Sequence, residues 1–423
     1  MKKGISAGLL VIAAIISILG IGLVGLQTVQ QERPSETEKK PMAEELPVPA
    51  HEKPESIETS EPEPESIQEK EFGHQVITPV ITFRQNPEIP SDGERQQLPD
   101  CNNKLFSITP VDLQKVTQIT PLGNLAPPGH TFPTEHVYFH ITPGGTTTDT
   151  IQLSAPSDAH IILISFDHGI TQDPVDYTIY FSLCKDVVGY YNHVKELSAG
   201  LEKIVNDNQC EFQGESKDKR CNIETLTPIK AGANMGGVGR LQGNFDFGAI
   251  DLRKAHKFAN PSRYGNRSFH IQCAFDYYDA GTRDKLYSLL SRKDGKCGTT
   301  AQDVSGALKG NWFFSDARAD MGSDWDKYLA FVQDNEEPAV SVISIGGVFT
   351  DAGKFEFMPQ ASGLVNREFT QVTSDGSVYC YESDSASGHV ILQLVGDKEM
   401  KIERQEGKCS GYYSFNKPVV YNR

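Results

Sequence analysis

The sequence predicts an exported, mainly β protein. It has an N-terminal membrane anchor, a disordered stalk, a β-rich domain joined by a helical connector to a second one, and in the latter an antiparallel β-barrel or sandwich. Three observations predict it. An uncharged apolar run opens the chain, a Glu/Pro/Ser-rich segment follows, and short strand-like runs separated by turn residues fill most of the remainder. The length of 423 residues suits two or three domains.

Lys2 and Lys3 precede an uncharged run over residues 4–26. At ~1.5 Å per residue such a run spans a hydrocarbon core of ~30 Å. The basic flank stays on the cytoplasmic side, which sends the rest of the chain outside. A cleaved signal peptide is the rival reading. Its apolar region is usually shorter and ends in a small-residue site, whereas here the run ends Gly25-Leu26-Gln27-Thr28. Residues 1–27 are therefore expected to be a signal anchor, and either reading exports the chain.

Residues 28–99 carry repeats of Glu, Pro and Ser such as Glu61-Pro62-Glu63-Pro64-Glu65-Ser66. Such a stretch buries too little apolar surface to offset its ordering entropy, and reads as a disordered stalk. Residues 74–84 are more apolar, but Pro79 argues against a central strand there. The net charge of −16 argues against nucleic acid as a partner.

The eight cysteines form no Cys-x-x-Cys zinc pattern. In an exported chain an even number reads as disulfides. Eight allow 105 pairings, of which the local ones Cys210–Cys221, Cys273–Cys297 and Cys380–Cys409 are the simplest.

Within residues 100–260, strands are predicted at 119–122, 136–141, 150–153, 160–166, 177–183 and 245–250. Residues 186–205 read as a helix from the spacing of Val187, Val188, Tyr191, Val194 and Leu197, although Gly189 and Gly200 weaken its ends. Residues 261–297 read as a helical connector. An Asn266-Arg267-Ser268 sequon suggests an exposed loop there, and a helix over 279–290 is capped by Asp279. Residues 298–423 then read as a meander, with strands at 312–314, 328–333, 339–345, 354–358, 368–372, 378–381, 389–395 and 400–403. Hairpin signals such as Ser374-Asp375-Gly376 sit between them. Gly310-Asn311-Trp312 resembles the Gly-x-Trp that opens lipocalin-like barrels. An ordinary core tryptophan is the simpler explanation.

Six of the eleven histidines lie between residues 130 and 193: His130, His136, His140, His160, His168 and His193. Neutral imidazole is the commonest transition-metal ligand, so this density raises the question of a metal. On a strand, His136 and His140 share a face but stand about 13 Å apart at ~3.3 Å per residue, too far for one zinc ion. His130 and Glu135, in a loop kinked by Pro133, are free to converge. Loop hydrogen bonding at a strand entrance is the plain alternative for both.

The order of several motifs carries a resemblance. These are His130…Glu135, Leu153-Ser154-Ala155-Pro156-Ser157-Asp158-Ala159-His160-Ile161, Tyr191-Asn192-His193-Val194, the glycine-rich 229–239 and Asn244-Phe245-Asp246-Phe247-Gly248. Together they resemble the lysostaphin/LytM-type zinc endopeptidases, over roughly residues 119–253. The resemblance implies a β-rich duplicated-hybrid fold and an ancestry of cutting cell-wall peptides. Carried over by position, it makes His130 a zinc ligand and His193 the histidine that assists the attacking water. The aspartate ligand is expected at Thr134, and Glu135 follows one residue late. The family's final His-x-His is here Asn244-Phe245-Asp246. Asp246 retains an oxygen for metal, whereas Asn244 cannot move a proton. The implied set is thus His130, Glu135 and Asp246 for metal, with His193 and Asn244 at the catalytic positions. The arrangement of anchor, degenerate hybrid domain and β-rich tail also resembles a group of uncharacterised exported microbial proteins.

A catalytic zinc needs three protein ligands and an open position. With two of the family's histidines replaced, the expectation is a noncatalytic cell-envelope binding or scaffold module without cofactor, held at the membrane and facing a peptide or glycan. A zinc-dependent endopeptidase with an atypical ligand set is the alternative. A small-ligand-binding C-terminal barrel is a third, which an open apolar interior would support. The glycine-rich 232–239 lacks the Gly-Lys-Ser/Thr ending of a phosphate loop and reads as a structural turn.

Overall fold

The computed structural model describes residues 87–102, 105–142, 145–168, 175–208, 210–213, 219–319 and 322–423. The expected anchor, the 74–84 stretch and the stalk up to residue 86 lie outside the described residues. Residues 87–99, which the sequence assigns to the stalk, are folded. They form a short helix, α1 (Asp92–Arg95), with Ser91 as its cap, and bury Ile89 and Leu98. Among the described residues no helix is long and apolar enough to cross a membrane.

The described chain is mainly β, with two antiparallel sheets and few helices. The first sheet takes its strands from β1 (Gln118–Thr120), β2 (Val137–His140), β3 (Ile151–Ser154), β4 (Ala159–His168), β5 (Tyr177–Cys184), β6 (Val187–Leu197), β7 (Glu211–Gln213), β8 (Lys219–Ile229), β9 (Asn234–Val238), β10 (Asn244–Asp251) and β11 (Ile271–Gln272). Its main path runs β1-β2-β10-β6-β5-β4-β8-β7, with β3 and β9 paired to each other and β9 also to β6. β10 therefore lies between β2 and β6, and this sandwiching positions the candidate site.

Residues 186–205, predicted to be a helix, are instead strand β6 followed by a short helix, α2 (Ala199–Asp207). The apolar spacing misleads because β6 is buried on both faces, which erases the period-two alternation of a half-exposed strand. Its Val and Tyr content is the better guide. The glycine-rich segment is structural: β9 runs through it, and Gly236 has φ +144° with room for no side chain. A Cβ there would lie 1.9 Å from the Glu196 carbonyl oxygen.

Helices α3 (Asn266–His270) and α4 (Ala280–Ser288) lie in the segment expected as a connector, which also adds β11 to the first sheet and Ile271, Phe275 and Leu286 to its core; Asp279 caps α4 by accepting from the Gly281 and Thr282 amides. The second sheet comprises β12 (Gly310–Phe314), β13 (Tyr328–Gln333), β14 (Ser341–Ile345), β15 (Gly353–Phe357), β16 (Tyr379–Glu382), β17 (His389–Gly396), β18 (Glu399–Gln405) and β19 (Val419–Asn422). They are ordered β15-β14-β13-β12-β19-β18-β17-β16 and roll nearly into a barrel. The strand expected at 368–372 is a 3-10 turn, Phe369–Gln371. Phe369 and Val372 lie one such turn apart, and both enter the core. The interior is filled by Trp312, Phe331, Phe369, Tyr381 and Tyr421. The Trp312 indole donates to the Leu308 carbonyl and carries the Arg423 guanidinium 4.3 Å above its ring.

Four disulfides join Cys101 to Cys184, Cys210 to Cys221, Cys273 to Cys297 and Cys380 to Cys409. They use all eight cysteines and mark an oxidising, extracytoplasmic setting.

Candidate functional site

The register around β10 assembles a polar cluster. Asp246 pairs with Tyr138 on β2 and with Asn192 on β6, so all three side chains share one face of the sheet. His136, two residues before Tyr138, belongs to that face as well. His193, one residue after Asn192, should point to the opposite face. It does not, because its φ is +62° and β6 holds one extra residue against β5, between the pairs Tyr177–Val194 and Ile179–Tyr191. A bulge of this kind re-aims a side chain, here toward Asp246.

The Asp246 carboxylate is 1% exposed. Its Oδ2 lies 3.1 Å from His136 Nε2 and 3.4 Å from His193 Nε2, and accepts from the Asn192 amide at 3.1 Å. Its Oδ1 is buried with no hydrogen-bond partner among the described protein groups. Beyond His193 the chain of charge continues: His193 Nδ1 meets Asp176 Oδ2 at 2.8 Å, and Lys195 Nζ reaches that same oxygen at 2.9 Å.

The imidazoles divide electrostatically. Burial lowers the pKa of His130 and of His136; the Asp246 charge opposes this only in part, so both are held neutral. Burial also pushes His193 down, but the Asp176 hydrogen bond and the Asp246 and Asp176 charges outweigh it and raise its pKa. The Asp176 carboxyl is lowered although burial opposes this, because His193 and Lys195 bind its charged form.

The loop before β2 sets His130 against His136, with ring centroids 6.1 Å apart. Phe132 anchors it by stacking on Tyr328 at 4.3 Å and meeting Phe313 edge-on at 5.0 Å. Glu135 leaves the cluster. Its carboxylate takes Arg267 Nε at 2.6 Å on one oxygen and the Ser268 hydroxyl at 2.6 Å on the other, while its carbonyl accepts from the Tyr190 hydroxyl. Burial raises the Glu135 pKa, but the Arg267 charge and these bonds outweigh it and hold the carboxyl below its ordinary value.

Of the residues singled out in the sequence, His130, His193 and Asp246 come together and His136 joins them. Glu135 is occupied elsewhere. Asn244 opens β10 opposite His140, on the same face as Asp246. His140 lies further along β2, where its Nε2 contacts the Thr120 hydroxyl at 2.9 Å. The ligand set His130, Glu135 and Asp246 is thus dispersed by the Arg267 ion pair. Among the described residues no group of three or more His, Cys, Asp or Glu is arranged to hold a metal ion.

Asp176 and Lys195 carry no signal in the sequence, and Asn192 enters there only as a member of the Tyr191–Val194 motif, without a role. Reading 187–197 as the second arm of a hairpin with 177–184 would have brought Asp176 and Lys195 together beside His193.

A cavity of about 240 Å³ opens beside the cluster, at the junction of the two sheets. Its wall includes His130, His136, Arg267, Thr300, Tyr264 and Trp325.

The chain matches no family model, no curated protein and no solved structure.

Proposed function

We propose that this is a membrane-anchored extracytoplasmic protein whose first β-domain is a degenerate relative of the lysostaphin/LytM-type peptidases, acting as a noncatalytic binding module of the cell envelope. The observation that carries the reading is the fate of Glu135. The one acid of the 127–141 stretch is neutralised by Arg267 and Ser268 instead of facing the histidines. What remains at the junction is a pocket edged by neutral imidazoles, suited to holding a ligand. Asn244, at the position of a family histidine, has no proton to transfer. The test is retention of the purified full chain, in detergent, on isolated cell-envelope material. Retention without release of soluble peptide fragments is expected; no retention, or release of fragments that Asp246→Asn abolishes, overturns the reading.

A zinc-dependent peptidase with a changed ligand set is the second reading. It is favoured by the buried, unpartnered Oδ1 of Asp246, whose other oxygen, Oδ2, lies near two imidazole nitrogens. Ligands on one tetrahedral zinc at ~2.0–2.2 Å stand about 3.3–3.5 Å apart, close to the 3.1 and 3.4 Å measured from its Oδ2. Metal analysis separates the two readings. The binding module carries zinc well below one ion per chain, and stoichiometric zinc lost in Asp246→Ala supports the peptidase.

A further inference from the structure

We infer that the junction pocket binds a neutral, hydroxyl-bearing ring, namely a single sugar residue of a glycan; this rests on the binding reading above and names its ligand class. Size comes first. At about 240 Å³ the cavity lies below the ~300–1,000 Å³ of pockets that enclose drug-sized molecules, so it admits one ring and not an extended chain.

Charge comes second. The charged wall groups Glu135 and Arg267 neutralise each other at 2.6 Å, and Arg267 is further engaged by the Tyr180 hydroxyl. Neither an anion nor a cation finds an uncompensated partner there, and desolvating one would be costly.

Hydrogen-bonding character comes third. A neutral imidazole offers one donor and one acceptor, and a hydroxyl does the same. The wall supplies His130, His136, Thr131, Thr134, Thr300 and Ser268, all of this amphoteric kind. Sugar hydroxyls are their complement. Three of these groups await a partner: Thr134 Oγ1 and Thr300 Oγ1, on residues 5% and 6% exposed, and His136 Nε2, which makes no well-formed hydrogen bond despite its nearness to Asp246. Buried polar atoms are ordinarily satisfied, so these three point to a ligand that satisfies them.

The fourth observation is Trp325, half exposed on the pocket wall and facing Gly129, where a Cβ would stand 3.9 Å from the indole. An exposed indole presents a negative face to the C–H bonds of a sugar ring.

Trp325 also supplies the readout, because Trp312, the other tryptophan, is fully buried in the barrel. The full chain in detergent is titrated with glucose and with N-acetylglucosamine, and in parallel with citrate and trilysine, while emission and acrylamide quenching are followed. Either sugar should give a saturable shift and protect Trp325, and the ionic probes should not. Thr300→Val, nearly isosteric, should weaken sugar binding about tenfold, and Trp325→Phe should remove the signal. The inference is overturned if neither sugar gives a saturable change, if an ionic probe binds instead, or if Thr300→Val binds like the parent. Envelope retention that persists in any of those cases leaves the binding-module reading standing and removes only the sugar.

Discussion

His193 and Asp176 face each other across the β5–β6 hairpin with Nδ1 and Oδ2 2.8 Å apart, and Asp246 approaches the far nitrogen of the same ring at 3.4 Å. A ring between two carboxylates is stabilised as imidazolium, so its pKa in the fold lies above the ordinary ~6.5. Stability from this contact is therefore fully present below ~6.5 and lost as pH rises through the raised value. Asp176→Asn should cost more stability at about pH 5.5 than at about pH 9, and should lower the His193 midpoint in an NMR titration. An equal cost at both pH values would show that His193 does not carry the charge.

The backbone of His193 makes a separate prediction. At φ +62° a residue with a Cβ is strained by roughly 1–2 kcal/mol, and a β-branched one by more. His193→Gly loses the ionic contacts but relieves the strain, whereas His193→Val loses the contacts and adds to it. Denaturant melts should place His193→Val about 2 kcal/mol below His193→Gly. Equal midpoints would mean that the bulge relaxes and the conformation is not enforced by the sheet.

How much of this was legible depends on how local each signal is. Most of the C-terminal strands read well because each hairpin announces itself within a few residues, whereas β19, which pairs with both β12 and β18, was not among the expected strands; the Asp279 cap is a contact over two or three positions. The three local disulfides read well for the same reason. β6 did not, because burial on both faces removed the alternation that marks a strand. That error hid the site: a helix at 186–205 leaves His193 in mid-helix, while a strand places it beside Asp176 and Asp246. His136 was set aside because it cannot share an ion with His140. That geometry holds, but its partner is Asp246, 110 residues away in the chain and adjacent only through the β2–β10 pairing. Glu135 stood in the right loop, yet Arg267, which captures it, lies in the connector, and no motif links the two.

The Glu135–Arg267 pair can be tested as a structural element. The Glu135 side chain is 18% exposed and that of Arg267 40%, so the pair sits at the pocket edge, partly screened by solvent. Breaking a fully buried pair costs ~3–5 kcal/mol and an exposed one below ~1, so Arg267→Ala should cost about 2 kcal/mol. Glu135→Gln retains the Ser268 contact and should cost less. If Arg267→Ala melts like the parent, Glu135 has another partner in solution and the argument from its neutralisation fails.

Phe132 ties the histidine-bearing loop to the barrel. Its ring stacks on Tyr328 at 16° and 4.3 Å and meets Phe313 edge-on, so one side chain from the first sheet's loop joins an aromatic cluster of the second. The loop returns to the first sheet through β2, carrying His130 just before Phe132 and His136 just after it. Truncating a partly buried phenylalanine in such a cluster should cost about 2–3 kcal/mol. More is expected than lost stability, because Phe132 is the ring by which the loop grips both Tyr328 and Phe313. In Phe132→Ala the imidazole signals of His130 and His136 should shift and broaden while His193, fixed by the β5–β6 hairpin, keeps its titration. Phe132→Leu should restore most of the stability. If His193 changes as much as His130 and His136 do, the loop is not the mobile partner, and the pocket is held by the sheet instead of by its aromatic anchor.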